Sequence, residues 1–154
     1  MKSNSELRSM LNHLIRACRD GQEGFRTAAE NIENGEIQHV LNKYSLQRAK
    51  FTGELQSASH DLGETNPESS SSVTGTLHRG LINLKTAIAG RNLHSILSEC
   101  ERGEDSAVED YRKALQLKLP WDLRMIIERQ SAEIKDAHAQ VKALRDAQAP
   151  EYVE

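Results

Sequence analysis

Four stretches of this chain carry apolar residues at alternating steps of three and four. Each is interrupted once, near its middle, by a polar residue. In the first, Leu11, Ile15, Cys18, Phe25, Ala29 and Ile32 follow steps of four, three, seven, four and three, with Gln22 in the long gap. In the second, Ile37, Leu41, Tyr44, Phe51, Leu55, Ala58 and Leu62 flank Arg48. In the third, Leu93, Leu97, Cys100, Ala107, Tyr111 and Ala114 flank Glu104. In the fourth, Leu123, Ile127, Ile134, Ala137, Val141 and Leu144 flank Gln130. Such steps place residues on one helix face, and a heptad seam is buried by packing against other helices. The spacing predicts an all-α chain: one four-helix-bundle domain over 1–154, with long helices near 5–32, 36–62, 93–117 and 121–148.

Local signals set the joints. Asn34-Gly35 is a turn signal, and the short connection makes the first two helices antiparallel neighbours. Residues 63–76, "GETNPESSSSVTGT", offer almost nothing to bury and read as a long surface loop. A short extra helix near 77–89 follows, with Leu77, Leu81, Leu84 and Ile88 on one face, and ends at Gly90. The long second connection thus contains a helix, but periodicity leaves open whether it crosses the whole bundle. Pro120 suits the opening of the last helix, with Leu119 and Trp121 placed to cover the corner.

Composition agrees with this class and removes others. Hydrophobic residues make up 37% and aromatic residues only 4%, which suits a Leu/Ile/Val/Ala core better than a sandwich or barrel. The net charge of −3 supplies no basic field for nucleic acid or an anionic membrane. No apolar run reaches the length of a membrane span, and the first residues lack a signal peptide's apolar core. Cys18 and Cys100 fall on the seams and are expected to be buried thiols in a reducing cytoplasm. The outer faces show no clear apolar patch. A homodimer or another protein partner is the expected assembly.

The four interruptions are the sharpest functional question. Each stands roughly 11–15 residues, or about 17–22 Å, from its hairpin turn, so all four can share one layer. Di-iron bundles hold their metals at this level, with one Glu from each of two helices and a Glu-x-x-His from each of the other two. Here the only Glu-x-x-His is Glu36 to His39, at a helix start and roughly 18 Å from Arg48. Arg48 also repels cations and competes for carboxylates. Its natural partner is Glu104, with Gln22 and Gln130 completing the hydrogen bonds. Gly21, Gly24, Gly53 and Gly103 near this level are expected to make room for the long side chain or to allow close helix approach.

Two other groupings are kept. Glu23, Glu101, Glu104, Glu133 and His138 would form a carboxylate-rich face after a small seam rotation, and iron is the cofactor they would take. His78 and Arg79, at the start of the short helix, would offer an anion or ligand site at the bundle end. No residue set has the context of a catalytic centre.

The segments "LNHLIRACRDGQEGFRTAAE", "QRAKFTGEL", "LHRGL", "ECERGEDSAVEDYRKAL" and "ERQSAEIKDAHAQVKALRD" in this order resemble an uncharacterised bacterial four-helix-bundle family, a domain of unknown function grouped with the ferritin-like fold. The resemblance extends over nearly the whole chain. It departs from the family at Leu81, where an aromatic residue is expected, and this should alter packing only. It implies a ferritin-like bundle and carries over no catalytic residues. The expected function is therefore non-enzymatic: a structural or interaction protein, with a role in stress physiology expected from the company such bundles keep. The alternatives are a ferritin-like iron oxidase or store, and a small-ligand carrier.

Overall fold

A computed structural model describes residues 4–63 and 75–148, apart from the side chains of 75–81. It contains five helices: α1 (Asn4–Glu30), α2 (Gly35–Asp61), α3 (Gly75–Ala89), α4 (Leu93–Leu115) and α5 (Trp121–Ala147). Among the described residues there is no strand. Among the described residues, no helix is long and apolar enough to cross a membrane.

Caps set the boundaries. The Asn34 side chain accepts from the Ile37 amide at 3.1 Å, and Asn92 accepts from the Ser95 amide at 3.1 Å. Both satisfy an N-terminal donor that has no partner within its helix. Gly63 follows α2 with φ +91, and its amide donates to the His60 carbonyl. That left-handed position favours glycine. Between α3 and α4 the left-handed residue is Arg91, φ 53, rather than the neighbouring Gly90.

α1 packs on α2 and α4, and α5 packs on α4 and more lightly on α2. α2 and α4 therefore stand diagonally across the core. Two apolar clusters fill the interior. The first joins Phe25, Ala28 and Ile32 to Ile37, Leu41, Ile96, Leu97, Ala137 and Val141. The second joins Leu11, Ile15 and Cys18 to Phe51, Leu55, Ala107, Tyr111, Ile127 and Ile134. The late part of α1 thus meets the early parts of α2 and α4 and the late part of α5. Among α1, α2, α4 and α5, each helix is antiparallel to those it packs on, while α2 and α4 run the same way.

This arrangement decides the path of the second connection. α2 ends at Leu62 against the second cluster, whereas α4 begins at Leu93 against the first. The chain must travel the length of the assembly between them. α3 lies on that route and packs on α4 and α1, with Leu84 inserted into the first cluster.

The corner before α5 differs from expectation. Leu119 packs against the second cluster, but Trp121 is 73% exposed. Arg124 secures the corner instead, donating from Nη2 to the carbonyls of Leu115 (3.2 Å) and Leu117 (3.0 Å). A guanidinium suits those carbonyls because a helix C-terminus leaves its last acceptors unpaired.

Candidate functional site

Between the two apolar clusters, Arg48 Nη2 meets Glu104 Oε2 at 2.5 Å, with the side chains 1% and 2% exposed. The pair spans the core diagonal and joins α2 to α4. Arg48 Nε donates to Gln47 Oε1 at 3.2 Å, and the guanidinium carbon lies 5.4 Å from the Phe25 ring centroid. Burial alone would lower the Arg48 pKa, but the charge and hydrogen bond of Glu104 outweigh it, and the net shift is upward. Arg48 is a permanent cation inside the core.

Space for that cation comes from α1. A Cβ on Gly21 would lie 3.1 Å from Arg48 Nη1 and 3.4 Å from its Cγ. Gly24, Gly53 and Gly103 would meet nothing within 4 Å, so they make no room for Arg48. The buried positions of α1 show why. Leu7, Leu11, Leu14, Cys18, Phe25, Ala28 and Ile32 follow steps of four and three if Gly21 is included. The seam place opposite Arg48 belongs to Gly21, not Gln22. Gly21→Ala is expected to lower stability by up to about 1 kcal/mol although alanine favours a helix by about that amount. In an Arg48→Met, Glu104→Leu background the same change should raise stability, and thermal melts of the two pairs test this.

Neither glutamine completes the ion pair. Gln22 is only half-buried, and its backbone carbonyl accepts from Ser45 Oγ at 2.9 Å. Gln130 is fully buried but serves a neighbouring chain of hydrogen bonds. Tyr111 Oη donates to Gln130 Oε1 at 2.7 Å, so the contact of 3.1 Å between Cys18 Sγ and Tyr111 Oη has the thiol as donor. Gln130 Nε2 donates to Glu54 Oε1 at 3.0 Å and reaches the Phe51 carbonyl at 3.4 Å. Arg129 Nη2 closes the series on Glu54 Oε2 at 2.5 Å. One directed series thus runs from the core to the surface. Burial pushes the Cys18 thiol up to about 11 and the Cys100 thiol up to about 12. Both are poor nucleophiles at neutral pH.

The carboxylate-rich grouping is only partly assembled. Glu104 is turned inward to Arg48, and Glu133 pairs with Arg129 at 3.3 Å. Glu23 lies on α1, which does not pack on α5. Glu101 and His138 do meet, at 3.0 Å, and Asp105 joins them 2.6 Å from His138 Nε2. Asp105 is the member the sequence reading missed; its signal is the four-residue step from Glu101, which puts both on one helix face. Glu36 and His39 are exposed at the start of α2. His78, Arg79 and Leu81 fall outside the described side chains.

An open cleft of about 690 Å³ lies between α2 and α5, lined by Ala49, Gly53, Ala58, Leu62, Leu123 and Ile126 among others. On α5, Trp121 and Met125 stand exposed one turn apart.

The described chain is thus an all-helical protein whose core is divided by a buried ion pair. Residues 6–117 match the profile of the domain of unknown function DUF2383, and the chain belongs to that family. The match ends before α5, short of the extent expected from the sequence, so Gln130 and His138 lie beyond it. No curated protein matches the chain.

Proposed function

We propose that the protein is a non-enzymatic structural or interaction protein built on a ferritin-like four-helix bundle. The carrying observation is the Arg48–Glu104 pair at the level where such bundles hold a di-metal centre. A fixed cation there repels metal ions and consumes Glu104, the one fully buried acidic residue among the described residues. Support for the ferritin-like assignment comes from the end-to-end passage between α2 and α4 and the shared direction of these two diagonal helices. The interaction reading draws on exposed Trp121 and Met125, residue types enriched where proteins meet. A bacterial, cytoplasmic setting and a role in stress physiology complete the proposal.

The small-ligand reading has one observation in its favour. The α2–α5 cleft falls in the size range of small-molecule sites, roughly 300–1,000 Å³. Iron oxidation is the reading that Arg48 opposes. Aerobic incubation with ferrous iron, following oxidation optically, separates the classes. Oxidation no faster than buffer supports the scaffold; catalytic turnover abolished by Glu104→Gln overturns it.

A further inference from the structure

We propose that Glu101 and Asp105 of α4 and His138 of α5 form a site for one divalent transition-metal ion of the zinc class. Their ligand atoms, one from each residue, all lie within 4.8 Å of one another. His138 Nε2 is the focus, 3.0 Å from Glu101 Oε1 and 2.6 Å from Asp105 Oδ1. Ligands about 2.0–2.2 Å from a tetrahedral ion stand about 3.3–3.6 Å apart, so the two contacts to His138 need to open by up to about 1 Å to admit one. Asp105 is 61% exposed and can supply that movement, whereas Glu101 and His138 are mostly buried and already placed. The ligand set consists of one imidazole and two carboxylates, donors that suit zinc and its neighbours. With neutral imidazole, two carboxylates balance the ion's double charge.

The surroundings fit the same role. Arg145 Nη1 donates to Glu101 Oε2 at 3.2 Å, leaving Oε1 directed at His138. A carboxylate held through its second oxygen is the kind of outer contact that orients a metal ligand. Three protein ligands at a half-exposed rim leave the fourth position to water. The site is separate from the Arg48 layer, because Glu104 faces the core while Glu101 and Asp105 face α5. It stands independently of the scaffold reading, since a bound ion at the rim requires no turnover.

The test is calorimetric titration of the chelator-treated full chain with zinc chloride, paired with cobalt(II) absorption. One equivalent should bind, with the intense visible bands of tetrahedral cobalt. His138→Gln and Asp105→Asn should each weaken binding at least tenfold, and Arg145→Met about tenfold. His94→Gln, a histidine away from the site, should leave it unchanged, and circular dichroism checks that each variant is folded. Absence of a one-equivalent event, or an event that survives His138→Gln in a folded protein, overturns the proposal.

Discussion

Glu104→Ala is expected to lower the unfolding free energy by about 3–5 kcal/mol in urea denaturation. The change leaves Arg48 charged and 1% exposed, with Gln47 as its remaining side-chain hydrogen-bond acceptor. Removing one member of a buried ion pair costs far more than the pair contributes, because the survivor keeps its desolvation penalty and loses its attraction. Replacing both residues, as Arg48→Met with Glu104→Leu, should therefore cost less than Glu104→Ala alone. The comparison separates charge from packing, since the double variant still fills the layer. A loss below about 1 kcal/mol for Glu104→Ala would show that Arg48 swings out to water, and the buried pair would lose its structural meaning. The role expected of the pair is one of register, because it ties the two diagonal helices, whose backbones do not approach each other closely.

Tyr111→Phe should cost about 1–3 kcal/mol, the usual penalty for stranding a buried hydrogen-bonding group. The lost hydroxyl is the sole donor shown for Gln130 Oε1 and the acceptor for the Cys18 thiol. Gln130 is fully buried, so no water enters without opening the second apolar cluster. Cys18→Ala should cost less in hydrogen bonding, since a thiol is a weak donor. Urea denaturation of both variants checks the order. A Tyr111→Phe loss under about 0.5 kcal/mol would mean that Gln130 has turned its carbonyl to another donor.

How much of the site was legible depends on what each residue's partner is. Arg48, Glu104 and Gln130 occupy exact seam places on their own helices, so periodicity alone marks them as inward. The meeting of Arg48 with Glu104 also follows from sequence, because a buried cation needs a buried anion and these two helices supply one each. Gln22 was misassigned because Ile15 and Ala29 are as deeply buried as Leu14 and Ala28, so two counts one residue apart both fit the buried face of α1. The step pattern from Leu7 through Leu14 and Cys18 leads to Gly21, but a glycine carries no hydrophobic signal. Its importance appears only when a neighbouring helix puts a guanidinium 3.1 Å from its absent side chain.

The sequence by itself determined the helices, their approximate ends and the polar break in the core, because these rest on local periodicity, caps and turn residues. Tertiary structure decided the rest. The passage from α2 to α4 runs end to end, since the clusters place Leu62 and Leu93 at opposite ends. Asp105 joins Glu101 and His138, and Trp121 stays exposed, because helix rotation and spacing fix which flanking residues meet. Periodicity specifies a face to within one or two positions, while a site is made by atoms a few ångströms apart on different helices. Only the packing of those helices against one another sets that distance.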